Sequence, residues 1–531
     1  MSWFRTGAEG ARGPSRVRVV HLLALAGLVL VGLLSGGAEA TPSASLVPPE
    51  IAANAATGWP AHNYDLSNSR ADLSTDINAS NVATLKPKWT FKLSYHGLFG
   101  QFASNPIVVD GLVYFENPDS DVFALNEDTG KLIWEHKYNS ATPSGGPNGV
   151  AIGYGLLFGA TESSAFALNP KTGKQVWIRK LISNSREGID MAPTVYDGKV
   201  LISTIPGNST SYYTGGAYGI VYALSTQTGS IIWSFSTIQD GSKLWGDPKV
   251  NGGGGLWYPV AVDSSGRVFL GTGNPSPVYP TKSDPNAKSR PGPNLYTDSL
   301  LALNGDTGKL LWYQQVTPHD VRDYDFEDSP IITTQDINGV ETEVVIGAGK
   351  SGKVIAFNAD SGTRIWTLNI GKHNKYEYGN FPAKSVTYCP GSLGGVLTPM
   401  AETGSTLYVP WIDWCFKGKA TELTGASKSE LGGLAAVNAV DGQIEWTQRF
   451  TSFDSGGATI ANNVVFTSDY FGTIYALSTT DGAILWSTKA PAGINSFPAV
   501  TQNMLIIGAG AQTAAKKKPH GEIIAYSLGG Q

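Results

Sequence analysis

One seven-residue phrase recurs along the chain and limits its fold more than any other feature. It reads DTGKLIW at Asp128 to Trp134, then KTGKQVW at 171–177, QTGSIIW at 227–233, DTGKLLW at 306–312, DSGTRIW at 360–366, VDGQIEW at 440–446 and TDGAILW at 480–486. In each copy a short apolar strand leads into a polar-Gly turn, and a second strand ends on tryptophan. Glycine supplies the positive φ that a tight turn needs, and the indole can cover the edge of its own sheet and pack on the next unit. Trp89, in PKWTFKL, has no turn before it, whereas the last strand, Gly521 to Leu528, has no tryptophan strand after it. Each end lacks what the other has. Joining them predicts an all-β, eight-bladed β-propeller of four-stranded blades, the last closed by N-terminal and C-terminal strands, which leaves no exposed sheet edge.

The spacing locates the decoration. Successive tryptophans from Trp89 to Trp486 are 45, 43, 56, 79, 54, 80 and 40 residues apart, against about 40–50 for a plain blade. The surplus falls mainly before Trp312 and Trp446, where loops would build a binding face. At the start, Arg5, Arg12, Arg16 and Arg18 precede an apolar run from Val19 to Leu34, and Ala38, Glu39 and Ala40 offer a small-x-small cleavage site. That pattern predicts a secretory signal at 1–40, a linker at 41–54, and one propeller domain at 55–531; the run is short for a membrane span. The protein is therefore expected to be exported, to the periplasm, cell surface or medium, with no stable membrane span after cleavage. Lys and Arg total 38 against 43 Asp and Glu, a net charge of -5, and the one basic cluster is Lys516 to Lys518. A nucleic-acid partner is not expected. An oxidising compartment permits Cys389 and Cys415 to pair, which would contribute roughly 3 kcal/mol by loop closure; two buried thiols are the alternative.

Three stretches carry residues suited to chemistry. GGGGLWYP at 252–259 lets the backbone approach a partner closely and presents Trp257 to a flat ligand or to the core. Asn274, in GTGNPSP, offers an amide to a cation or forms an Asn-Pro turn. TPHDVRDYDFEDSP at 317–330 concentrates His319, Asp320, Asp323, Asp325, Glu327 and Asp328 in a chain only 15% charged. Such carboxylates can hold a hard cation or take a proton, although most are expected to be solvated turn residues. Lys350, in GAGKSGKVIAF, could meet an anionic or carbonyl group or simply face water.

Taken with RPGPNLYTDSL and CPGSLGG, these motifs resemble the pyrroloquinoline-quinone (PQQ)-dependent alcohol dehydrogenase family from about Trp59 to the C-terminal strand. The resemblance implies an eight-bladed propeller that binds PQQ and a Ca²⁺ or lanthanide ion, with Trp257 as the floor under the quinone. It implies Asn274 and Asp323 as metal ligands, Asp323 also as the catalytic base, Asp325 as the extra aspartate of lanthanide-dependent members, and Lys350 against the quinone oxygens. Cys389 and Cys415 match a disulfide of several members. Electrons would pass to an external acceptor such as cytochrome c.

The departures are specific. The metal-ligating glutamate expected after Gly215 and Gly216 is Ala217, unless the loop 207–214 supplies oxygen ligands. The vicinal cysteine pair is absent, with Gly159, Ala160, Thr161 and Glu162 read at its place, and Arg322 replaces the tryptophan before Asp323, which would put a bulky cation beside the proposed base. No CxxCH haem motif occurs. The sequence thus points to a PQQ-dependent dehydrogenase of an alcohol, polymeric or unusual in kind. The alternative is a non-catalytic quinoprotein-like propeller that binds protein or polysaccharide.

Overall fold

A computed structural model describes residues 45–93, 104–207, 215–238, 245–511 and 520–529. The expected signal segment, nearly all of the 207–214 loop and the Lys516 to Lys518 cluster lie outside the described residues. The chain is nearly all β, and eight of its sheets are built on four antiparallel strands in succession. Seven sheets take their strands in chain order, as in Ile107–Val109, Leu112–Glu116, Val122–Asn126 and Leu132–His136. In the eighth, Leu85–Leu93 pairs with Gly521–Leu528, which continues to Met504–Ala509 and Ala499–Val500. The strand expected to be unmatched at each end is thus paired with the other.

The repeated phrase has one structural job throughout. In each of the eight sheets the pairing of the tryptophan strand slips by one residue beside the indole, as between Pro87 and Trp89 or Gln175 and Trp177. A bulge of this kind re-aims a side chain. Seven of the indoles then lie on the turn glycine of the next repeat: Trp89 on Gly130, Trp134 on Gly173, Trp177 on Gly229, Trp233 on Gly308, Trp312 on Gly362, Trp366 on Gly442 and Trp446 on Gly482. Each donates its Nε1–H to a carbonyl just before that turn, at 2.7–3.0 Å. The eighth, Trp486, meets the ring of Tyr526 edge-on at 5.6 Å, in the sheet shared by the two ends.

The turn glycine is needed twice over. Gly308 has φ +67°, and a β-carbon there would stand 2.6 Å from the Trp233 ring. Gly308→Ala is therefore expected to cost about 2–5 kcal/mol, combining the left-handed backbone with overpacking. A thermal midpoint within error of the parent would refute this account of the repeat.

The segment before the first sheet binds all the others. It opens with the helix Pro49–Asn54, inside the stretch read as linker, and Glu50 of that helix accepts from the amide of Tyr154 at 2.8 Å. Leu46 accepts from the Asp197 amide, Trp59 exchanges bonds with Val108, and Leu66, Ser67, Ser69 and Arg70 accept in turn from Val262, Ile332, Glu402 and Ile460. Thr75 donates to the carbonyl of Thr501. Each partner lies in or directly after the first strand of a different sheet. Arg70, fully buried, anchors the run by donating to the carbonyls of Ala458, His62 and Pro498 and to the amide oxygen of Asn63. A guanidinium can be buried there because its donors are met.

Candidate active site

From Asp320 to Pro330 the acidic stretch is almost entirely buried, which corrects the expectation of solvated turn residues. Asp320, Asp325, Glu327 and Asp328 are each at most 4% exposed. They divide by role. Asp320 accepts from the amides of Arg322 and Tyr324, so it shapes the turn. Asp328 accepts from the Ser329 amide and faces the Arg70 charge.

Asp323, Asp325 and Glu327 alternate along the chain, on either side of the isolated bridge at Phe326 and the left-handed backbone at Asp323. All three converge on Lys350: its Nζ is 3.1 Å from Asp323 Oδ1 and 3.9 Å from Glu327 Oε1, and it also pairs with Asp325 Oδ2. The residues between them point elsewhere, Tyr324 donating to the Pro390 carbonyl and Phe326 entering the core beside Phe269 and Phe357. Lys350 is not a surface lysine. Its side chain is 9% exposed, and its backbone amide donates to the Asp325 carbonyl at 3.0 Å.

Burial dominates the electrostatics. It pushes the carboxyl of Asp325 up, against the pull of Lys350, and raises Glu327 well above the usual carboxylate range, helped by the neighbouring charge of Asp325. Asp323 differs. Its side chain is 14% exposed, and its backbone sits at φ 70°, a conformation that costs a non-glycine residue about 1–3 kcal/mol. That strain aims the carboxylate at the opening, where Tyr279 donates to its Oδ2 at 2.7 Å. Tyr279 carried no motif that sequence reading could weigh.

Asn274 is joined to this group through its backbone amide, which donates to Asp325 Oδ1, while its side-chain amide donates to the Pro275 carbonyl. It is at once an Asn-Pro turn and a neighbour of the carboxylates. Trp257, 6% exposed, packs with Ile205, Tyr258, Val278 and Phe497. Gly146 lies against its ring, where a β-carbon would approach to 2.6 Å. Gly146 is thus the backbone against the indole, while Gly159, in the stretch read in place of the cysteine pair, packs on Phe166 and Glu116. Ala217 is fully buried, and its carbonyl accepts from Gly253, whose own neighbours include Asn274 and Pro275.

Arg322 does not stand over Asp323. Its guanidinium donates to the carbonyls of Tyr376, Tyr378 and Gly379 and lies 4.2 Å above the Phe381 ring. It thereby fastens one long insertion to the acidic segment. Arg290 fastens the other, donating to the carbonyls of Pro277, Val278 and Asp320. The Cys389–Cys415 disulfide ties the first insertion to the long hairpin Thr406–Lys419 and Glu422–Asn438. Both insertions marked by the tryptophan spacing thus frame this site.

The carboxylates fit a hard cation. Glu327 Oε2 is buried without a hydrogen-bond partner, and three carboxylates face one ammonium, a charge excess that burial makes costly. Among the described residues no three Asp, Glu, His or Cys side chains already surround a common metal point, since the ammonium lies between the carboxylates. Trp257, opposed by glycine backbone, fits a flat ring system.

Comparison with known proteins agrees with this chemistry. Residues 59–154 and 180–375 match the model of the glucose/ethanol/alcohol dehydrogenase β-propeller domain, and 430–524 match that of the outer membrane protein assembly factor BamB. The quinoprotein alcohol dehydrogenase PedH of Pseudomonas putida is 27% identical, over 80% of this chain and 80% of its own length. The lanthanide-dependent methanol dehydrogenase of Methylorubrum extorquens is likewise 27% identical, over 90% of this chain and 89% of its own. In fold, the quinohemoprotein alcohol dehydrogenase from Comamonas testosteroni superposes with a TM-score of 0.79 at 24% identity, covering 91% of this chain and 82% of that one.

Proposed function

The chain belongs to the PQQ family of β-propeller dehydrogenases, and from that membership we propose that it oxidises an alcohol at the site framed by Trp257, Asn274, Asp323 and Lys350. The observation that carries the reading is the convergence of Asp323, Asp325 and Glu327 on Lys350, beside Asn274. Trp257 would hold the quinone ring, and Asn274, Asp323 and Asp325 would hold a Ca²⁺ or lanthanide ion. The quinone, when bound, supplies the acceptor for the electrons and hydrogen that leave the alcohol carbon. Asp323 then takes the hydroxyl proton on its carboxylate, the one group of the three with an opening to solvent. Tyr279 and Lys350 fix that carboxylate from two sides. Lys350 also balances the buried negative charge when no substrate is present.

The two insertions, tied down by Arg290, Arg322 and the disulfide, would shape the substrate entrance and suit an alcohol of unusual or polymeric form. Electrons would leave to a separate acceptor such as cytochrome c; one relative is named as a cytochrome c-linked lupanine 17-hydroxylase. Export fits the N-terminal pattern, and among the described residues no helix is long and apolar enough to cross a membrane. The eight sheets are read as blades of one closed ring. The indole contacts support this, since they run from sheet to sheet and return through Trp486 and Tyr526 to the sheet of Trp89.

The test is a titration of the mature protein with PQQ in the presence of Ca²⁺ or a lanthanide, followed by dye reduction with short and long alcohols. Saturable quinone binding and turnover are expected. Absence of binding with either ion would leave the non-catalytic propeller as the better reading.

A further inference from the structure

Glu327 is the acidic residue of the site to which sequence reading gave no part of its own. It is 4% exposed, and among the described residues its carboxylate has one long ion pair: Oε1 stands 3.9 Å from Lys350 Nζ, beyond hydrogen-bond reach, and Oε2 has no hydrogen-bond partner. Asp320, by contrast, has both oxygens on backbone amides, and Asp328 has one oxygen on the Ser329 amide and the Arg70 charge beside it. A buried carboxylate with no donor is expensive unless a cation answers it. Among the described residues, the ion pairs of Asp323, Asp325 and Glu327 all run to the same ammonium.

The position of Glu327 is fixed rather than incidental. The Phe326 side chain is locked in the core, and an isolated bridge pairs Phe326 with Thr272, two residues before Asn274. Glu327 therefore rises from the same face as Asp323 and Asp325, beside the strand that delivers Asn274. Across the site the buried Ala217 brings no side-chain oxygen.

We propose that Glu327 is a third anionic ligand of the metal site, bringing to a hard cation the carboxylate that position 217 does not supply. The proposal rests on the quinoprotein reading of this site and assigns it a ligand set of its own: three carboxylates at alternating positions of one short segment, with Asn274 alongside. Oxygen-rich sites of this kind set their affinity largely through the number of charged ligands.

Terbium(III) titration of the mature protein with PQQ present, followed by luminescence excited through tryptophan, tests this without recourse to turnover. Glu327→Gln keeps the shape and removes the charge; it is expected to weaken terbium binding by about tenfold or more, with an unchanged circular dichroism spectrum. Affinity within about twofold of the parent would overturn the assignment and leave the quinoprotein reading standing, since the parent would still bind. If the parent binds no terbium, the metal reading of the site falls, and Glu327 with it. Should Glu327→Gln fail to fold, Glu327→Asp decides: it retains the charge but withdraws the carboxylate by one methylene. Weakened terbium binding in that folded variant supports the ligand role, and parental affinity overturns it.

Discussion

Asp323→Asn is expected to abolish alcohol-dependent dye reduction while the protein stays folded and still binds quinone, with metal affinity lowered by the loss of one anionic ligand. Removing a positioned base commonly costs 10²–10⁴ in rate, about 3–5 kcal/mol of barrier. Asparagine preserves size and can keep the contact with Tyr279, so the loss should fall on kcat with little change in the thermal midpoint. Relief from the left-handed backbone is not expected either, because asparagine tolerates that region about as well as aspartate. Turnover within a fewfold of the parent would remove Asp323 as base and turn attention to Asp325, which is buried completely and has no comparable opening.

Deletion of the last strand, from Gly521 onward, is expected to prevent stable folding altogether. That strand is interior to its sheet, between Leu85–Leu93 and Met504–Ala509, so its loss strips both neighbours of a ladder. Ile523, Ile524 and Tyr526 are each no more than 4% exposed. Loss of large buried side chains costs about 2–5 kcal/mol apiece, and three of them approach the 5–15 kcal/mol that holds a typical domain together. Trp486 would also lose its ring partner. A truncated chain that melts within a few degrees of the parent would show that the shared sheet is not a closure. Restored folding on adding the missing strand as a peptide would support it.

The repeat was legible because its chemistry is local: a turn glycine and a tryptophan at fixed spacing declare both a hairpin and the surface it presents to the next one. Trp257, Asn274, Asp323 and Lys350 were legible as candidates through motif resemblance. Their mutual distances were not, since Asp323 and Lys350 lie at the two open ends of the hairpin Ile331–Ile337 and Val340–Ala348 and meet only through its register. Arg322 misled because adjacency in sequence is not adjacency in space; its guanidinium is carried away by the carbonyls of 376–379. Tyr279 and Glu327 were hard to single out because neither residue type carries meaning until its neighbours are known. Arg70, inside GWPAHNYDLSNSR, read as part of a resemblance and proved to be a buried anchor.

The run from Leu46 to Thr75 has a consequence for the order of assembly. It is made before every strand of the eight sheets, yet each of its bonds requires a first strand that is made later, the last of them at Ala499–Val500. Contacts so distant along the chain form slowly, because loop-closure entropy must be met before they return any stabilisation. The earliest part of the fold to be synthesised is thus satisfied only when nearly the whole chain has been made. An assembly lacking any one sheet leaves this segment with a polar group unanswered, so the segment reports on the completeness of the whole, and an incomplete assembly is expected to be cleaved by proteases at its own beginning.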